Sequence, residues 1–252
     1  MDLSLQGRTA LVTGAGRGIG RSIALTLAQA GADLALNYRR DEAAARATAT
    51  EIEGLGRRAR LYQAPVEDRD ACAAMAEAAL SDFGAIDILV HNAGIASRGQ
   101  TVAETELDEV ERVMRVHAFG PYHLSQRLLP QMRTRGRGDI VMISSIVTRL
   151  FSANGSPYSM AKAAMEALAR TLAKEERRHG IRTNIVSPSL TVTDMGQRVV
   201  RARGNDDIHS LDAAAPFGRV SMPQDVASVV LFLVSGANAY VNGQNVAVDG
   251  GG

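Results

Sequence analysis

Tyr158 and Lys162 stand four residues apart in Tyr158-Ser159-Met160-Ala161-Lys162, and Ser145 lies thirteen residues upstream, at the end of the apolar run Ile140-Val141-Met142-Ile143. On a helix, residues i and i+4 share one face. A free phenol has a pKa of about 10, so it exchanges protons poorly at neutral pH. A neighbouring ammonium favours the phenolate and pulls that pKa towards neutrality. A hydroxyl at the tip of an adjacent strand could then hold the reacting oxygen. Alone, a tyrosine and a lysine at this spacing are usually a helix surface pair, so the elements that carry them decide.

Strand and helix patterns alternate along the chain. Apolar runs suited to buried parallel strands fall near 9–13, 33–38, 60–63, 86–91, 139–144, 182–186 and 245–248. Alanine-rich amphipathic stretches lie between them, near 20–30, 40–54, 70–83, 107–133, 158–180 and 223–234. The pattern predicts an α/β fold: one Rossmann-like, doubly wound parallel sheet of about seven strands with helices on both faces. No repeat or low-complexity linker divides residues 1–252, so one domain is expected. The stretch from Ser187 to Phe217 breaks the rhythm, with Arg198, Arg201, Arg203 and Pro216 in it. It follows a strand whose C-terminal end should face the ligand crevice, which predicts a substrate lid at 189–216. A surface excursion is the plainer alternative.

The composition narrows the class. A net charge of +1 implies no broad pull towards nucleic acid or membrane. The one cysteine, Cys72, rules out an intrachain disulfide and a cysteine-rich metal site, and it reads as small helix packing. The five histidines show no metal-ligand spacing. No apolar run reaches the length of a membrane span, and residues 1–8 lack a signal-peptide core. A cytoplasmic enzyme with no membrane or nucleic-acid partner is the default.

The first predicted strand runs into Gly14-Ala15-Gly16-Arg17-Gly18-Ile19-Gly20, and a helix follows. Glycines there permit a tight turn and bring backbone N–H groups and a helix N-terminus to a phosphate. The second strand ends Leu36-Asn37-Tyr38-Arg39-Arg40, with no carboxylate before Asp41. An acidic residue there would favour the ribose hydroxyl of NAD. Arginine instead grips a 2′-phosphate, so Arg17 and Arg39 point to NADP(H), with NAD(H) as the alternative. Arg39 and Arg40 could equally be solvated residues at a helix start.

The glycine spacing, Asn92-Ala93-Gly94 after the fourth strand, the Ser145/Tyr158/Lys162 set, Pro188 after Asn184-Ile185-Val186-Ser187, and the ending from Gly243 to Gly251 together resemble the short-chain dehydrogenase/reductase family. The chain is most similar to 3-oxoacyl-(acyl-carrier-protein) reductases and their look-alikes. The resemblance implies that Tyr158 is the general acid for carbonyl reduction and the base for alcohol oxidation. Lys162 would lower the tyrosine pKa and bind the nicotinamide ribose, and Ser145, rather than Ser144, would steady the substrate oxygen. It further implies that Gly14, Gly18, Ile19, Gly20, Asn92, Ala93 and Gly94 border the dinucleotide, with Pro188, Val192 and Thr193 beside the nicotinamide. The choice of Arg39 over Arg40 follows from the same resemblance, as does a homotetramer paired through the fourth and fifth helices and the C-terminal strand.

The chain departs from the family pattern in places. His117 stands where a catalytic asparagine is usual, in Arg115-Val116-His117-Ala118-Phe119-Gly120. It is expected either to bind water and pass protons in a modified relay or merely to fill the site. Pro65-Val66 replaces Asp-Val at the end of the third strand, leaving adenine recognition to the Val66 backbone. His91 and Ser189 are smaller departures. The substrate reads only as a ketone/secondary alcohol pair: a 3-oxoacyl thioester, or a sugar, polyol, steroid or ring alcohol. A non-catalytic NADP(H)-binding sensor on the same fold is the reading from another class. Arg149 suits an anionic substrate group or simply faces outwards. An acidic acyl carrier protein would need exposed cations, for which Arg133, Arg135, Arg137, Arg177 and Arg178 are candidates.

Overall fold

Seven short aliphatic runs pair in parallel into one sheet of order β3-β2-β1-β4-β5-β6-β7. They are β1 (Thr9–Val12), β2 (Asp33–Tyr38), β3 (Ala59–Gln63), β4 (Ile88–His91), β5 (Gly138–Ile143), β6 (Ile181–Pro188) and β7 (Asn245–Val248). The computed structural model describes residues 2–202 and 204–251. Arg203 of the expected arginine cluster therefore lies outside the described residues. The predicted strands agree with those observed to within two residues at each end, because runs buried on both faces carry a strong apolar signal.

Helices cover both faces. α1 (Gly18–Gln29), α2 (Glu42–Gly54) and α9 (Pro223–Val234) pack on one, and α3 (Arg69–Phe83), α5 (Gly120–Met132) and α7 (Ser156–Glu175) on the other. The pleat divides each strand between them. In β5, Val141 and Ile143 join the first core, while Ile140 and Met142 join the second. The order reverses between β1 and β4, and all C-terminal strand ends lie along one edge. A crevice opens there by topology.

The single helix expected over 107–133 is broken. α4 (Leu107–Met114) runs into a π turn at Arg115–Phe119 before α5 begins. Pro121 has no N–H to give the His117 carbonyl four residues back, so α-helical pairing fails there. The Gly120 N–H bonds instead to Arg115 O, five residues back. Gly120 must be glycine, because a Cβ would stand 2.6 Å from Val66 O.

The stretch expected as a lid is folded. α8 (Asp194–Ala202) and two 3-10 turns, Ile208–Ala214 and Pro216–Gly218, enclose a small apolar cluster of Val200, Ile208 and Val220. Between β5 and α7 lies the one-turn α6 (Val147–Leu150).

The opposite edge of the sheet is held by charge. Asp139, almost fully buried, accepts from Arg8 at 2.7 Å, Arg137 at 3.2 Å and Arg182 at 3.1 Å. Arg133 pairs with Glu176, and Arg135 with Asp87. Residues 133–137 and 177–178 precede β5 and β6, so they lie at the edge away from the crevice. As cations beside the cleft for a carrier protein they are misplaced, and the first three are already paired. Replacing Asp139 with alanine leaves three converging guanidinium groups without their shared carboxylate, holding only backbone carbonyls. The expected loss is about 3–5 kcal/mol, read by urea unfolding of Asp139→Ala against the parent.

Candidate active site

β5 delivers Ser144 and Ser145 to the crevice edge, and α7 passes beside them carrying Tyr158 and Lys162. Lys162, 3% exposed, donates through Nζ to Ile143 O at 2.7 Å. Its Nζ stands 5.6 Å from the centre of the Tyr158 ring. Ser145 lies near enough to Tyr158 to draw the phenol's pKa down, and its Oγ accepts from Val147 N at 3.3 Å. The three residues singled out by spacing therefore meet. Ser144 does not join them, because it is buried and bonded to Glu166 at 2.8 Å.

The electrostatics correct one expectation. The phenol is not drawn towards neutrality in the protein alone. Burial pushes Tyr158 up to about 12, with Ser145 as the opposing influence. Burial acts on Lys162 in the opposite sense, down to about 7, against a raising influence from Glu166. The phenol is thus held protonated at neutral pH, the form needed to donate a proton.

The π turn brings His117 to the same place. Its ring meets Tyr158 edge to face at 5.2 Å between centroids. Nε2 lies 3.1 Å from the Ile95 N–H and 2.9 Å from the Ile95 carbonyl. A carboxamide would serve donor and acceptor with separate atoms, whereas one imidazole nitrogen serves a single partner at a time. Nδ1 is buried with no hydrogen-bond partner among the described residues. Burial, with Lys162 adding to it, holds the imidazole well below its ordinary pKa. A neutral His117 can hold water, but the cationic form needed to carry a proton is disfavoured. Gly94 makes room for this ring, since a Cβ there would stand 2.7 Å from His117 Cε1.

At the other end of the crevice, the glycine turn closes around the tip of β1. A Cβ on Gly20 would fall 2.2 Å from Gly14 O and 2.4 Å from Asn92 Nδ2, and Gly14 and Gly18 have φ of 65° and 54°. Asn92 ties the central strands together, donating to Thr13 O at 2.9 Å and Gly14 O at 3.2 Å. Thr13 Oγ1 receives the N–H groups of Asn92 and Ala93. No side chain caps α1, so the first-turn N–H groups of Gly18, Ile19 and Gly20 have no helical acceptor to satisfy them. Asp41 and Asp68 do cap α2 and α3.

Two tying residues escaped the sequence reading. Thr13 is one. The other is Asn37, whose Oδ1 accepts from Gly14 N at 3.2 Å while Nδ2 donates to Ala64 O at 2.9 Å. Its signal was a lone amide inside the buried run Leu36-Asn37-Tyr38.

Thr193 lies against Gly18, so that a Cβ there would meet its Cγ2 at 3.2 Å. Val192 N bonds to Ser221 O at 2.8 Å, and Pro188 ends β6. The Val66 carbonyl is turned inward to Cys72 Sγ at 3.3 Å and towards Gly120, so it is not free to read an adenine. Cys72 is buried, its thiol pushed up to about 11, as packing requires. His91 is likewise a core residue, bonded to Ser125 at 3.0 Å and held down to about 3 by burial. Arg39 pairs with Glu67 at 2.5 Å and Arg17 with Asp194 at 3.7 Å. Arg149 is exposed. Among the described residues no cluster could hold a metal, and no helix is long and apolar enough to cross a membrane.

Comparison with other proteins agrees with this geometry. Residues 14–252 match a family model described as enoyl-(acyl carrier protein) reductase. L-rhamnose 1-dehydrogenase (NAD(P)(+)) of a Sphingomonas species is 36% identical, over 98% of this chain and 96% of that one. A 3-oxoacyl-(acyl-carrier-protein) reductase of Staphylococcus aureus is 35% identical over 97% of both. A solved short-chain dehydrogenase from Burkholderia cenocepacia in complex with NADP superposes with a TM-score of 0.87 at 35% identity, over 98% of each chain.

The chain belongs to the short-chain dehydrogenase/reductase family.

As a member it is an oxidoreductase acting on an alcohol/ketone pair with NAD(P). The residues present fit such a dinucleotide: an uncapped helix N-terminus, a glycine turn with no room for side chains, and arginines at its rim. Gly20→Ala should therefore weaken dinucleotide binding by about tenfold or more, equivalent to ~1.4 kcal/mol. Quenching of protein fluorescence by NADPH and NADH checks this, and unchanged dissociation constants would refute the cradle.

Proposed function

We propose that this protein is an NADP(H)-dependent reductase of ketones to secondary alcohols, working reversibly, with Tyr158 as general acid and base. The observation that carries the reading is the meeting of Ser145, Tyr158 and Lys162 at one end of the crevice, with the glycine turn at the other. When bound, the nicotinamide coenzyme supplies or accepts the hydride. Ser145 holds the substrate oxygen, and Tyr158, protonated at neutral pH, donates to it. Lys162 binds the ribose and brings a positive charge beside the phenol. Neutral His117 fixes the Ile95 backbone and orders water near Lys162.

NADP(H) is favoured over NAD(H) because Arg17 and Arg39 border the adenosine half with no carboxylate on the β2 tip before Asp41. Gly14, Gly18, Ile19, Gly20, Asn92, Ala93, Gly94, Pro188, Val192 and Thr193 line the remainder, and Val66 borders the adenine through its side chain and N–H. For the substrate we favour a 3-oxoacyl thioester. The 35% identity to a 3-oxoacyl-(acyl-carrier-protein) reductase supports this, as do the exposed apolar Leu150 and Phe151 just beyond Ser145. A sugar is the second reading, favoured by the 36% identity to a rhamnose dehydrogenase. We further infer a homotetramer, since α5 and α7 present exposed Tyr122 and Met160, with Phe119 beside them.

Turnover of NADPH with an acetoacetyl thioester, with rhamnose and NADP as the comparison, tests the substrate reading. Tyr158→Phe should lower kcat by about 10²–10⁴-fold with binding retained. Unchanged turnover would end the catalytic assignment. Arg39→Ala should raise KM for NADPH by about tenfold, the value of a charge-assisted hydrogen bond, and leave NADH nearly unaffected. Equal effects on both coenzymes would remove the case for NADP(H).

A further inference from the structure

Glu166 is a charged side chain that this chemistry leaves without a task. It lies on α7 one helical turn beyond Lys162 and is only 5% exposed. Three donors converge on it. Ser144 Oγ at 2.8 Å and Thr148 Oγ1 at 2.7 Å reach Oε1, and Arg170 Nη2 at 3.1 Å reaches Oε2. A buried carboxylate is costly unless it is paired and hydrogen-bonded. Here the partners include the residues on either side of the substrate-holding serine. Ser144 precedes Ser145, and the Thr148 hydroxyl also lies 3.0 Å from the Ser145 carbonyl. Lys162 grips Ile143 O from the same helix face. Residues 143, 144 and 148 are thus all held from α7, and Ser145 is carried between them.

We propose that Glu166 is a positioning residue for the Ser145, Tyr158 and Lys162 site: its carboxylate pins the β5–α6 corner and supplies the negative charge that faces the Lys162 ammonium. This rests on the roles given to those three residues above. The other charged or titratable groups here are Tyr158 and His117 beside Lys162, Arg170 paired with Glu166, and Arg112 of α4 acting on His117. Among these groups Glu166 is the carboxylate, and it opposes the burial that brings Lys162 down to about 7. Neutralising Glu166 lowers Lys162 further, so the ammonium is lost at a lower pH than in the parent.

The chain has two lysines, Lys162 and Lys174, against 26 arginines. Lysine labelled with carbon-13 at Cε therefore gives two side-chain signals, and Lys162 can be titrated by NMR without any turnover. In Glu166→Gln, which keeps an acceptor oxygen for Ser144 and Thr148, the Lys162 midpoint should fall by about half a pH unit or more. The alkaline limb of the kcat profile for carbonyl reduction should fall with it. The double variant Ser144→Ala, Thr148→Val keeps the charge and loses the pins. It should lower kcat about tenfold, as a displaced group does, and leave the Lys162 midpoint in place. Glu166→Asp should restore the midpoint even if Glu166→Gln folds poorly. A parent-like midpoint and kcat in Glu166→Gln would overturn the proposal. A parent that reduces no carbonyl would sink the reductase reading instead, with the NMR titration still deciding the charge on Lys162.

Discussion

The Lys162 ammonium, buried and donating to the Ile143 carbonyl at 2.7 Å, ties the chemistry to the scaffold. The carbonyl belongs to the last residue of β5, whose own place is set by parallel pairing to β4 and β6. A lysine that must reach that carbonyl fixes the rotation of α7 about its axis. Tyr158, one turn earlier on the same face, is then aimed at Ser145. Through this one hydrogen bond the register of the sheet becomes the geometry of the site.

The chain's use of basic residues bears on why that residue is lysine. With 26 arginines and two lysines, arginine serves nearly everywhere a cation is needed: on Asp139, Glu176, Asp87 and Glu109 alike. Arginine is well suited to those forked contacts with carboxylates. At position 162 it would fail on two counts. Its planar head is too wide for a point contact between a strand-end carbonyl and a tyrosine. It also stays charged when buried, whereas an ammonium responds to its surroundings.

The strands and the meeting of Tyr158 with Lys162 were legible because each rests on a short-range rule. Buried parallel strands show as apolar runs, and Tyr158 and Lys162 show as an i, i+4 pair. What stayed hidden depends on residues far apart in the chain. The π turn at Arg115–Phe119 needed Pro121 weighed as a missing donor to His117 rather than as a tolerated first-turn proline. The packing of α8 with the two 3-10 turns that follow needed Val200, Ile208 and Val220 seen as one cluster across loops. The raised pKa of Tyr158 could not be read from spacing, because spacing shows the ammonium but not the depth of burial that outweighs it. Asn37 and Thr13 were single polar residues in apolar runs, and only the folded crevice shows what they hold.

The nucleotide half adds a different kind of constraint. Arg17 and Arg39, the cations at its rim, each face a carboxylate, Asp194 and Glu67. The Arg17–Asp194 pair is largely solvent-exposed and contributes little to folding, so Arg17 can exchange its partner cheaply for a phosphate, whereas Arg39–Glu67 is half-buried. Asp194 begins α8, the helix of the segment expected to cover the substrate, and Thr193 beside it already lies on Gly18. An anion that takes Arg17 from Asp194 therefore acts on the first turn of that helix as well as on the glycine loop. The glycine loop and the first turn of α8 are thus linked through one weak, screened ion pair. A stronger pair would tie α8 more firmly to the glycine loop and leave Arg17 harder to recruit for an anion.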